Sequence, residues 1–232
     1  VIGPLSIHAY GLMIALGVIA AVWLTGRRLE ASGAGTRDDA SAMAVWAVIA
    51  GVIGARLYHV VTDWSTFQND LGRIPQIWRG GLGIPGGILF GTLGAAYAFR
   101  RRGIPVAVGL SAAAPALPLA QAIGRWGNFF NSEAFGSPTD LPWKLYIPKA
   151  NRPFEYINYD YFHPTFLYES IWNLLVFAIL MYLFIDDNRR NRFPKKMNQT
   201  MYGFVGSLII ACGVMFSNFF HRAFVQIFFS SG

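Results

Sequence analysis

The sequence predicts an all-α integral membrane protein, a polytopic helical bundle of about six transmembrane spans with a small extracytoplasmic head segment. Three observations predict it. Charged residues are 13% of the 232 positions, about half the share usual in soluble domains. Hydrophobic residues reach 54%, and mean hydropathy is +0.39. Several uncharged runs approach the ~20 residues that a helix needs to cross a bilayer.

Taken in order, Val1–His8 is a short stretch with Gly3 and Pro4, and Tyr10–Thr25 is the first apolar helix. That run is too long and Gly-rich for the core of a cleavable signal, so none is expected. The chain begins at Val1, which suggests that a few residues precede it. Gly26–Asp39 is polar, and Ala40–Val61 is the second span, with Arg56 inside it. A polar connection, Thr62–Arg79, holds Trp64, Pro75 and Trp78. The third span, Gly80–Phe99, starts Gly-Gly-Leu-Gly-Ile-Pro-Gly-Gly. So much Gly and Pro disfavours a plain helix interior. An unwound or re-entrant start, or tight backbone contact, is expected there. Pro105–Ile123 is the fourth span, Ser137–Phe162 the head, and Phe166–Phe184 the fifth span, with Glu169 near its start. A charged loop, Asp186–Lys196, precedes a sixth span at Met201–His221. The whole reads as one membrane-embedded domain, residues 1–232, with the head at about 137–163.

Charge sets the expected topology. The loops after spans one, three and five hold Arg27, Arg28, Arg37, Arg100, Arg101, Arg102, Arg189, Arg190, Arg192, Lys195 and Lys196, which is 11 of 19 Lys and Arg. The positive-inside rule puts these loops in the cytoplasm. The N-terminus and head then lie on the outer face of the membrane. The net charge of +7 therefore points to loop topology and anionic lipid, and no nucleic-acid module is expected. Cys212 is the only cysteine, so no internal disulfide can form. His8, His59, His163 and His221 lie far apart without ligand spacing. No metal and no cofactor is expected.

The most informative stretch is Gly124-Arg-Trp-Gly-Asn-Phe-Phe-Asn-Ser-Glu-Ala-Phe-Gly136, which places Arg125, Asn128, Asn131 and Glu133 among three glycines and four aromatic rings. Lipid would not receive those polar groups, and polar irregular backbone at membrane depth survives only in protein or beside a wet cavity. Ionisable groups there are functional candidates, since each costs roughly 2.5–3.5 kcal/mol at mid-bilayer. The stretch is expected to wall a polar site near one membrane face. Broken, Gly-rich spans with buried charges also fit a small transporter or a non-catalytic lipid-binding membrane protein. No inverted repeat between the halves supports the transporter.

The same thirteen residues resemble the signature of bacterial phosphatidylglycerol–prolipoprotein diacylglyceryl transferases. Three further pieces resemble family motifs in the same order: His8-Ala9-Tyr10-Gly11, Gly54-Ala55-Arg56-Leu57-Tyr58, and His163-Pro164-Thr165-Phe166-Leu167-Tyr168-Glu169. The resemblance runs from about Gly3 to about Phe184. It implies transfer of a diacylglyceryl group from phosphatidylglycerol to the lipobox cysteine of a prolipoprotein, with membrane lipid around both substrates. It also implies residue roles. Arg125 would anchor the phosphate, because a guanidinium makes bidentate, charge-assisted bonds to it. Asn128 would hold the phosphoglycerol head or the local backbone. Glu133 would orient Arg125 or bind glycerol, and Tyr10 would be required for activity. Gly136, Arg56 and His8 would contact substrate. Glu169 and His163 would support the site, with Arg56 and Glu169 as a neutralising pair. Bland readings stand beside these: a snorkelling Arg125, a capping Asn128, an aromatic-belt Tyr10 and interfacial histidines. Two departures are visible. Where many members carry a histidine as the thiol base, this chain has Pro85. After Lys196 it has no acidic residue and only Arg222, where the family carries a second arginine site. Impaired activity and a diverged tail are expected from that.

Overall fold

The computed structural model describes residues 9–77 and 80–190. The sixth span, Arg222 and the rest of the tail, and His8 lie outside the described residues. Among the described residues seven α-helices form: α1 (Ala9–Ala31), α2 (Arg37–Thr62), α3 (Trp64–Phe67), α4 (Ile84–Arg101), α5 (Val106–Ala113), α6 (Ala116–Asn131) and α7 (Thr165–Arg190). Strands β1 (Leu145–Tyr146) and β2 (Tyr161–Phe162) form a small antiparallel sheet. Four stretches of the described residues are long and apolar enough to cross a membrane: Ala9–Ala31, Arg37–Thr62, Val106–Asn131 and Thr165–Leu183. The helix of the expected third span forms as α4 but is not among them. It ends in Arg100 and Arg101 and is diluted by glycine. The chain divides into two compact units, Val22–Ala112 and Val1–Ala21 with Ala113–Gly232.

In the unit Val22–Ala112, α2 starts with a capping box. Thr36 accepts from the Asp39 amide, while the Asp39 carboxylate accepts from the Thr36 N–H at 2.8 Å. Asp38 and Asp39 in the first turn also suit the positive end of the helix dipole. The helices α2 and α4 pack through a seam of small residues. A methyl at Gly94 would stand 2.5 Å from the Trp46 carbonyl oxygen, and one at Gly54 would stand 2.6 Å from that of Gly86. Such close backbone approach is how apolar helices gain van der Waals contact in lipid, where burial alone gives nothing. The Gly-rich start of α4 is both unwound and tightly packed. Gly80 and Gly81 have φ +84° and +79°, and the Gly83 N–H donates to the Ala55 carbonyl at 2.8 Å. At the other end, buried Arg28 of α1 donates to the Ala112 and Ser111 carbonyls at 2.9 and 3.3 Å. These sit in the last turn of α5, whose carbonyls lack helical partners.

In the other unit, Pro115 interrupts what the sequence suggests is one span. Pro has no N–H and clashes with the preceding turn, so α5 ends at Ala113 and α6 begins at Ala116. The helix α6 then runs through Gly124 to Asn131. This corrects the expectation of irregular backbone across the signature. Only its end, from Ser132 onward, leaves the helix. The methyl of an alanine at position 17 would meet the Ala120 carbonyl oxygen at 2.9 Å, so α1 and α6 touch backbone to backbone. Helices α6 and α7 pack together, and the buried Ser170 hydroxyl donates to the Ala122 carbonyl at 3.0 Å. Between them lies the head. Its core is Ile147, Phe162 and His163. Arg152 ties it together through the Ile147 carbonyl at 2.8 Å and Asp160 at 2.7 Å.

Candidate functional site

The polar residues of the signature share one helix. Spacing of three and four places Gly124, Asn128 and Asn131 along one side of α6, with Arg125 one position over. The helix is the most two-faced in the structure. Arg125 Nε stands 2.6 Å from Glu169 Oε2 of α7. Both side chains stay partly open, at 31% and 23% exposure, so the pair is reachable by a ligand. Arg125, which Glu133 was expected to orient, is paired instead with Glu169. Glu169, one turn into α7, is the carboxylate facing Arg125. Glu133 lies past the helix end and is turned back onto it, where Asn128 and Asn131 donate to Oε1 at 3.1 and 3.5 Å.

That turn is built by the end of α6. Ser132 caps it with φ +52°, and the Glu133 N–H reaches back to the Asn128 carbonyl at 3.0 Å. Glycine usually fills such a left-handed cap. Ala134 also has positive φ, +51°. Non-glycine residues held this way cost about 1–3 kcal/mol each and persist where surroundings over-determine them. Here the surroundings are specific. Thr165 Oγ1 donates to the Ala134 carbonyl, and the Gly136 N–H donates to the His163 carbonyl at 2.9 Å. Asn151 of the head donates to the Asn131 carbonyl at 3.1 Å.

Tyr10 reaches this site. A methyl at Gly127 would stand 2.7 Å from Tyr10 Cδ2, so the ring packs against the glycine that precedes Asn128. Gly136 acts by space also, since a methyl there would meet His163 Cβ at 2.8 Å. Trp126, Phe129 and Phe130 form an aromatic cluster with Phe166. His163 is 2% exposed, and burial holds its pKa below the ordinary 6.5. Its Nδ1 lies 3.3 Å from Tyr168 Oη, which in turn accepts from Trp143 Nε1 at 2.7 Å. Sequence reasoning singled out His163 but missed Tyr168, Trp143, Ser170 and Asn151. The Tyr168-Glu169-Ser170 run of polar groups opening an apolar helix was the available signal.

Arg56 belongs to the unit Val22–Ala112. It is 7% exposed. Its Nε donates to the Ile74 carbonyl at 2.7 Å, Nη1 to Gly80 and Gly81 at 2.7 and 2.9 Å, and Nη2 to Arg73 at 2.7 Å. Arginine has five N–H donors, so the loop backbone takes most of this guanidinium.

Chemically, the unit with Arg125 offers a fixed, reachable guanidinium, a carboxylate to aim it, an amide at one helical turn and a phenol ring beside them. Such an arrangement suits an anionic group whose charge grows during reaction. A family model described as prolipoprotein diacylglyceryl transferase matches residues 1–223, so the likeness extends beyond Phe184. A phosphatidylglycerol–prolipoprotein diacylglyceryl transferase of Synechococcus elongatus is 49% identical over 195 residues, covering 84% of this chain and 67% of that protein. One of Acaryochloris marina is 46% identical over 201 residues, covering 87% and 71%. A phosphatidylglycerol–prolipoprotein diacylglyceryl transferase 2 of Streptomyces coelicolor is 42% identical over 212 residues, covering 90% and 65%.

Proposed function

The chain belongs to the prolipoprotein diacylglyceryl transferase family, and from that premise we propose that it moves the diacylglyceryl group of phosphatidylglycerol onto the lipobox cysteine thiol of prolipoproteins. It is a multi-pass membrane transferase. The carbon–oxygen bond to phosphate breaks and a carbon–sulfur bond forms. Glycerol phosphate leaves, and the thiol proton ends on it or on water. Thiolate is the nucleophile, and an unperturbed thiol has a pKa of about 8.5. A nearby positive field lowers that value and also steadies the departing phosphate.

The observation that carries this reading is the Arg125–Glu169 pair at 2.6 Å. Glu169 holds the guanidinium in place and leaves it partly open. Phosphate would approach the exposed part of Arg125, Asn128 would hold the glycerol head, and Tyr10 would bound the site over Gly127. Glu133 acts on Asn128 rather than on Arg125. The N-terminus and head face the extracytoplasmic side, where secreted prolipoproteins present the cysteine, and the arginine-rich loops face the cytoplasm. The family likeness disfavours the small transporter and the non-catalytic binding protein. The test is direct. The purified chain is incubated with phosphatidylglycerol and a lipobox peptide, and the peptide is weighed by mass spectrometry. A gain of one diacylglyceryl group is expected. Peptide retained without any mass gain would overturn the reading.

A further inference from the structure

The unit Val22–Ala112 holds a cavity lined by its own residues. Its volume is about 220 Å³, and its lining is Arg56, His59, Thr66, Phe67, Arg73 and the Gly80–Gly81 pair. The floor is rigid. Phe67 is 3% exposed, the Arg56 guanidinium lies 5.1 Å from its ring centroid, and the His59 ring stands edge-on to it at 5.6 Å. The four carbonyls on Arg56 stop that charge from swinging away. Two polar groups are left over. Among the described residues, neither the Arg73 guanidinium nor the His59 ring nitrogens have a hydrogen-bond or ion-pair partner. Arg73 contributes only its carbonyl to the bracing of Arg56.

The lining contains two guanidiniums and an imidazole and no carboxylate. Asp63 on the adjoining turn accepts from Thr66 Oγ1 at 3.0 Å. An anion with several oxygens suits this set better than a neutral ligand. Drug-sized ligands occupy about 300–1,000 Å³, so the cavity suits a headgroup and not a peptide or a whole acyl chain. The chain on either side of the lining residues exposes large apolar groups: Trp64, Leu71, Ile77 and Leu82. Such surroundings belong in lipid. We infer that this cavity seats the phosphate of an anionic phospholipid headgroup, with Arg73 and His59 as its donors and Arg56 as the fixed charge behind them. The inference rests on the transferase reading only in that phosphatidylglycerol is taken as the anionic lipid at hand.

The test reads binding. The full chain is placed in nanodiscs of phosphatidylcholine with a minority of phosphatidylglycerol, and native mass spectrometry counts the phosphatidylglycerol retained per chain. Arg73→Gln keeps the carbonyl that Arg56 uses, so the fold survives it. His59→Gln is the second variant. Each is expected to weaken retention of phosphatidylglycerol roughly tenfold, as loss of a bond to a charged group does, with phosphatidylcholine retention unchanged. Equal phosphatidylglycerol retention by the native chain and both variants would overturn the proposal. In discs of phosphatidylcholine alone, labelled inorganic phosphate is not expected to bind. Retention of it that Arg73→Gln abolishes would assign the cavity to free phosphate and overturn the lipid assignment. A native chain that shows Arg73-dependent lipid retention but makes no thioether would refute the transferase reading and leave the cavity standing. The reverse pattern would sink the cavity and spare the enzyme.

Discussion

Arg125 pairs with Glu169 through its planar fork and stays 31% exposed. Lysine keeps the charge but not the fork. Arg125→Lys should therefore lower kcat/KM for peptide lipidation at least tenfold, about 1.4 kcal/mol of transition-state stabilisation, with expression unchanged. Gly127→Ala tests the Tyr10 contact. The added methyl falls 2.7 Å from a rigid ring, and overpacking of this kind costs about 1–3 kcal/mol. A lower Tm and lower activity should appear together. His163 gives a pH dependence with a definite sign. Burial holds its folded pKa below 6.5, so the unfolded chain binds the proton more readily. Stability is then full above pH 6.5 and falls as pH drops from 6.5 towards the folded value, at no more than about 1.4 kcal/mol per pH unit. Thermal unfolding of the native chain between pH 7.5 and 5.5 should show that loss, and His163→Gln should flatten it.

At the scale of elements, the α2–α4 seam and the α6 surface make opposite predictions for glycine. Gly94→Val would drive a side chain into the Trp46 carbonyl, 2.5 Å away, and into Ala50 Cβ at 2.8 Å. Backbone cannot yield as a flexible side chain does, so a Tm drop or loss of folded protein is expected. Gly124 has nothing within 4 Å of an added methyl. Gly124→Ala should raise stability by about 0.5–1 kcal/mol, the helix-interior difference, so any fall in its activity would report crowding of a ligand. The same two glycine sets show what sequence reveals. The apolar runs marked the helices because charge is excluded from lipid, and the clustered glycines before Ile88 marked tight packing. The extension of α6 to Asn131 was illegible for the opposite reason. Gly124, Gly127 and the polar groups between them look like a loop until α1 and α7 are seen to cover the helix. The partners of Arg125 and Arg56 were hidden likewise. Charge sign suggested Glu133 and Glu169, but pairing depends on which faces meet, and Arg56 is satisfied by carbonyls that no side-chain pattern announces.

For the whole molecule, the lipid-facing surface is where large apolar side chains stay exposed, such as Ile19 at 62% and Val61 at 76%. The positive-inside rule would place the arginine-rich loops in the cytoplasm. In a Cys212→Ser background, Thr139→Cys in the head should react in intact cells with a membrane-impermeant maleimide. Ser32→Cys, between α1 and α2, should react only after the membrane is opened. The opposite pattern would invert the proposed topology. The closure between Gly136 and His163, with the His163 N–H returning to the Ser137 carbonyl at 3.1 Å, bears on how such a protein can change over generations. The two strands of chain that leave α6 and come back to α7 are stapled at their base. Changes in the segment beyond the staple are tolerated only where they spare Trp143 and Asn151, which tie it back to Tyr168 and Asn131, while the arginine and glutamate beneath it keep their alignment.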